Sequence, residues 1–215
     1  MPTYTGTLSS IDQTAVKEYA SQRGQDLSDH DVQEACKTVL RLASPQGVFQ
    51  QGFYDQASQH LLCSHPFQLR STQLVPYLEQ AHIILIGAVT IGAAVEKEID
   101  DAFLQHNVAG GVALDSAAAA ATGTLLDQLT DYIRSISEDK GYKVVWRFSP
   151  GNGDWPAGQQ TDVANAAGGS QIGMAVTPGG MLSPRRSLTA LFGLHQADGC
   201  AGSCSGCAMA GHCGG

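Results

Sequence analysis

Apolar positions recur along the chain in three rhythms. Between Asp29 and Arg41, Val32, Ala35, Cys36, Val39 and Leu40 follow helical spacing behind acidic residues, so the N-terminal third reads as helical. Ala81 to Ala88 is continuously apolar, which suits a strand buried on both faces. Thr90-Ile91-Gly92 then turns the chain into a helix through Val95, Ile99 and Phe103, where Thr90 is placed to cap it. Ala109-Gly110-Gly111 reads as a break before a second long helix from about Ala113 to Ile136, with Leu125, Leu126, Leu129 and Ile133 on one face. Tyr142-Lys143-Val144-Val145-Trp146 is β-branched and aromatic and predicts a strand over 142–148. A glycine-rich segment, 166–180, encloses a short strand at Met174–Thr177, and the β-rich run Leu188–Leu194 predicts another strand.

Composition narrows what such a chain does. With 215 residues and 43% hydrophobic content it can bury one substantial core, with a tail of different character behind it. A formal charge of -8 would repel a phosphate backbone, which argues against nucleic acid as a partner. The N-terminus lacks the basic and apolar regions of a signal peptide, and the run Ile83 to Val95 is too short for a membrane span. The expectation is a soluble cytoplasmic protein with no membrane association.

Candidate chemistry concentrates in two places. The first is Arg147-Phe148-Ser149-Pro150-Gly151-Asn152-Gly153-Asp154-Trp155-Pro156, which sets a permanent cation at a strand end beside a loop stiffened by two prolines and opened by two glycines. A guanidinium fork suits a carboxylate or phosphate. A plain Pro/Gly connection with a surface arginine stands beside that reading. Asp127 and Asp131, four apart on the long helix, read as a solvated acidic face. The second place is the tail: of six cysteines, Cys200, Cys204, Cys207 and Cys213 fall in the last sixteen residues as C-x3-C-x2-C-x5-C. In a reducing compartment that clustering favours a metal. The spacing leaves zinc and an iron–sulfur cluster both open, and a structural clamp as open as electron transfer. His195 and His212 read as surface or tail residues, or as further metal ligands, rather than as catalysts.

Taken together, the segments after about residue 80 resemble the activation (reactivation) domain of vitamin B12-dependent methionine synthase in a short stand-alone form. The segments that carry the likeness are Thr90-Ile91-Gly92, the helix beginning near Leu114-Asp115-Ser116-Ala117, Arg147 to Pro156, and Ser183-Pro184-Arg185-Arg186-Ser187 through Leu194. The resemblance implies an α/β (α+β) fold, a twisted and largely antiparallel mixed sheet flanked by helices, over 1–197, with a Cys-rich metal-binding tail over 198–215. It implies binding of S-adenosylmethionine in support of reductive methylation of cobalamin carried by a partner, a corrinoid-binding methyltransferase or methionine synthase, with flavodoxin or ferredoxin as donor. On this reading the chain is a methyltransferase component with no catalytic residue of its own. Arg147 would hold the methionyl carboxylate, Pro150, Gly151 and Asn152 would line the ligand, and Asp127 would lie near its ammonium group. Asn152 stands where the family usually has tyrosine, which implies weaker binding, another ligand, or compensation by Trp155. An iron–sulfur electron-transfer or adaptor protein on the same fold, without nucleoside binding, is the alternative.

Overall fold

The computed structural model describes residues 2–197. Its centre is a seven-stranded sheet in which every pairing is antiparallel. In chain order the strands are β1 (Thr3–Thr5), β2 (Gln46–Asp55), β3 (His60–Leu62), β4 (Phe67–Gln68), β5 (Ile83–Thr90), β6 (Tyr142–Phe148) and, after a separate small hairpin of β7 (Ala175–Val176) and β8 (Leu182–Ser183), β9 (Ser187–Gln196). Across the sheet the order is β4-β3-β2-β5-β9-β6, with β1 also on β2. The architecture is therefore the mixed α/β one with helices flanking an antiparallel sheet.

Two cores sit on opposite faces because strand side chains alternate. Phe49, Val89, Ala190, Phe192 and Leu194 face α1 (Gln13–Ser21), α2 (Asp29–Leu42), α4 (Ala93–Leu104) and α5 (Val108–Glu138). Val48, Ile84, Ile86, Ala88 and Leu191 face the other way, toward α3 (Val75–Gln80) and α6 (Gln160–Ala167). β5 is covered on both sides, as its unbroken apolar run requires.

The N-terminal third is only partly helical. Besides α1 and α2 it supplies β1 to β4, and the ten-residue β2 lies directly beside β5. The expected break at 109–111 is also absent: α5 starts at Val108 and runs through both glycines. Asn107 caps it by accepting from the Gly110 amide at 3.0 Å. Gly111 stands so close to α4 that a Cβ would lie 2.7 Å from the Phe103 ring, so glycine permits close packing here rather than ending the helix. Further along α5, Ser116, Ala117, Ala118, Ala120 and Ala121 are buried where α1, α2 and α4 approach. Among the described residues α5 alone is long and apolar enough to cross a bilayer, yet it is the helix on which the larger core is built.

Candidate functional site

Arg147 owes its direction to one irregularity in β6. Val144 pairs with Leu194 and Trp146 with Gly193, so Val145 is an extra residue, a bulge that reverses the alternation. Val144 and Arg147 consequently face α5, while Trp146 and Phe148 turn to the opposite core, where they meet Tyr77. The guanidinium therefore reaches the long helix rather than the interior of the loop that follows. Its Nη1 donates to Asp127 Oδ1 at 2.7 Å and to Thr130 Oγ1 at 2.8 Å. Thr130 in turn donates to the Leu126 carbonyl at 2.7 Å, which fixes its lone pairs toward Arg147.

The pair stays open to solvent, with the Arg147 side chain 34% exposed and that of Asp127 67% exposed. Beside it lies a concavity of about 360 Å³ walled by Asp127, Thr130, Asp131, Arg134 and the strand from Val144 to Arg147. Asp131 pairs with Arg134 on the same wall. Two cations and two carboxylates thus border one depression as two ion pairs, an arrangement suited to a zwitterion whose carboxylate and ammonium are close together. Asp127 and Asp131 form the solvated acidic face expected of them, 67% and 71% exposed, and on that face each pairs with an arginine.

The loop after β6 is rigid for reasons of its own. Gly151 and Gly153 have φ of 99° and 57°, and the Gly151 amide donates to the Trp155 carbonyl at 2.8 Å. Asn152 turns its carboxamide onto the loop itself, accepting from the Ser149 amide at 2.9 Å. Asp154 ties the loop to the segment before α3: it accepts from the Ser71 hydroxyl, from the amide and hydroxyl of Thr72 at 2.8 and 2.7 Å, and from the Gln73 amide at 3.2 Å. These donors, Ser71 first, lower its carboxyl from 3.8 to about 2. Pro150, Gly151 and Asn152 adjoin the end of β6 but are not in the wall of the Arg147 concavity.

Trp155 cannot replace the absent tyrosine. It is 1% exposed, and its indole N–H donates to Gln159 Oε1 at 3.0 Å. Gln159, itself 2% exposed, donates to the Gln68 carbonyl at 2.7 Å and accepts from the Arg70 amide at 2.8 Å. The pair Trp155–Gln159 is a buried polar peg, with its groups satisfied as burial demands.

The segment Ser183–Ser187 anchors β9 to the helices. Arg185 donates to Glu96 at 2.7 Å and pairs with Asp100 on α4, while Arg186 donates to Asp115 on α5 at 2.6 Å, a carboxylate it shares with Arg23. Thr90 does not cap α4. Its hydroxyl accepts from the Gly92 amide at 3.2 Å within the turn, and Gly92, at φ 91°, occupies the cap position. His195 lies half-buried in β9 against His82, with ring centroids 5.5 Å apart. Among the described residues no group of three or more His, Cys, Asp or Glu is placed to hold a metal. Cys200, Cys204, Cys207, Cys213 and His212 lie outside the described residues.

The sequence reading did not single out Thr130, Arg134, Asp154 or Gln159. For two of them a signal existed, because positions 127, 130, 131 and 134 share one face of a helix. No family model and no curated protein matches the sequence. The fold is similar to that in the crystal structure of the MetH reactivation domain bound to AdoHcy, with a TM-score of 0.58, 13% identity, and coverage of 89% of this chain and 77% of that one.

Proposed function

We propose that this chain binds S-adenosylmethionine and supports the reductive methylation of a partner corrinoid methyltransferase, such as cobalamin-dependent methionine synthase. The observation that carries the reading is the Arg147–Asp127 pair at the open depression on α5, in a fold similar to that of a reactivation domain bound to AdoHcy. Arg147 receives the methionyl carboxylate, and Asp127 the ammonium group. A ligand of this kind inserts into an existing ion pair and satisfies both partners, so neither charge is left stranded. The bulge at Val145 and the Thr130 hydroxyl hold the guanidinium in place before binding, which lowers the ordering cost.

The reduced cobalamin of the partner supplies the nucleophile for the methyl group, and no general base is required of this chain. Its residues bind and orient the sulfonium nucleoside, a contribution of alignment. The reading implies a soluble cytoplasmic protein with a flavodoxin or ferredoxin donor. The tail cysteines, Cys200, Cys204, Cys207 and Cys213, are proposed to hold zinc or an iron–sulfur cluster. A second reading, an iron–sulfur or adaptor protein without nucleoside binding, is favoured by one observation: Asn152 is bonded to its own loop and Trp155 is buried, so this loop offers no aromatic cover.

Calorimetry with S-adenosylmethionine and with AdoHcy separates the two. Binding to the native chain, weakened by about 2 kcal/mol or more in Arg147→Ala, is the expected result. Equal affinity in the variant would remove Arg147 from the site. Absence of binding by the native chain, together with its retention on an immobilised corrinoid methyltransferase, would favour the adaptor.

A further inference from the structure

We infer that the gap between the end of β2 and the start of β5 is a second binding site, for a small molecule bearing a protonated amine. β2 pairs with β5 as far as Gly52–Ile84, and beyond that point Phe53, Tyr54 and Asp55 pair with β3 alone among the described residues. The parting of the strands leaves a cavity of about 360 Å³, whose wall includes Tyr54, Asp55, Leu78, Glu79, His82 and Ile84. Tyr54, Leu78 and Ile84 belong to the core on the α3 and α6 side of the sheet, whereas Arg147 reaches α5, so a ligand here is separate from one there.

Tyr54 is the observation that points to a ligand. It is 7% exposed, and its hydroxyl is buried with no hydrogen-bond partner among the described residues. Burial first, and then the charges of Glu79 and Asp55, push its pKa above the ordinary value, so the hydroxyl lies toward the two carboxylates of this wall. A buried hydroxyl without a partner costs folding free energy, and a donor seated between Tyr54 and Glu79 removes that cost by giving an oxygen of each a hydrogen bond.

The remaining wall selects the class of ligand. Among the described residues neither Glu79 nor Asp55 has a salt-bridge partner. Hydrogen bonds from Ser58 hold the Asp55 carboxyl below its ordinary range, so it stays ionised and adds its charge to that of Glu79. Two negative charges call for a cation. His82 is not a further acceptor, because its Nδ1 already accepts from the Gln196 amide at 3.3 Å, which puts the proton of the neutral ring on Nε2. With no group of three His, Cys, Asp or Glu placed to hold a metal among the described residues, an ammonium that brings its own N–H donors suits this wall better than a metal ion. Leu78 and Ile84 are buried and give an apolar surface for a short alkyl body.

The test is a titration of the full chain by two-dimensional NMR at constant ionic strength, with butylammonium, tetramethylammonium and calcium chlorides in separate arms. Butylammonium should give saturable shifts confined to residues 52–56 and 78–84, and tetramethylammonium, which has the charge but no N–H, should bind about tenfold more weakly or worse. Glu79→Gln, at an exposed side chain, should weaken butylammonium by about tenfold or more, as for loss of a hydrogen bond to a charged group. Tyr54→Phe should also weaken it while melting no lower than the native chain, since the substitution deletes the unsatisfied hydroxyl. No saturation by butylammonium, equal binding of the two ammonium ions, tighter binding of calcium, or undiminished binding by Glu79→Gln would overturn the inference. None of these outcomes touches the Arg147 site, which is read separately with S-adenosylmethionine.

Discussion

Asp154 gathers four donors on one carboxylate and so decides how the loop after β6 meets the segment before α3. Because its folded value, about 2, lies below the ordinary 3.8, the clamp contributes fully above that ordinary value. It is lost as pH falls from near 3.8 through about 2. Trp155, the next residue, is buried and reports on this loss. A red shift of tryptophan emission is expected in that acid window, and Asp154→Asn should show the shift already at neutral pH with little further change. An identical acid profile in the variant would mean that another carboxylate controls the loop.

At the scale of elements, two glycines that each have an aromatic ring against them should behave in opposite ways. At Gly193 an added Cβ would fall inside the Trp146 indole, which is wedged between β9 and the aromatic cluster with Tyr77 and Phe148. Gly193→Ala should therefore cost about 1–3 kcal/mol in urea denaturation, the range for overpacking. At Gly111 the neighbour is Phe103, 41% exposed and free to swing away, and helix propensity favours alanine by up to about 1 kcal/mol. Gly111→Ala should be neutral or stabilising in the same measurement. A large loss there would show that the α4–α5 junction has no slack. The contrast also explains what the sequence made legible. β5, β9 and the body of α5 carry runs whose periodicity is local, and the positions 142–148 and 187–194 read as strands from composition. β2 was opaque, because Gln46, Gly47, Gln50, Gln51 and Gly52 dilute its apolar residues, and its strand state comes from pairing with β5. Arg147 and Asp127 were identified by type, but their meeting depends on the bulge at Val145, a property of pairing rather than of either segment. The burial of Trp155 was equally hidden, since its partner Gln159 is fixed by a carbonyl 91 residues away.

For the molecule as a whole, both cores close within the described residues, and the termination of β9 is secured by the Ala197 amide donating to the Gly141 carbonyl at 2.7 Å. A chain ending after Ala197 should melt within a few degrees of the full-length protein in a thermal scan. Metal analysis of the two chains after anaerobic purification should find zinc or iron only in the longer one. A large fall in melting temperature would instead make residues 198–215 part of the fold, and metal in the shorter chain would move the metal away from the tail cysteines. The bulge in β6 has one more effect, on encounters between copies. Among the described residues β6 is the last strand of the sheet and no strand pairs with its outer edge, the kind of edge that recruits a strand from another molecule. The extra residue at Val145 breaks the spacing that such a strand would need to zip along the whole length, so the feature that aims Arg147 also discourages open-ended polymerisation from this side.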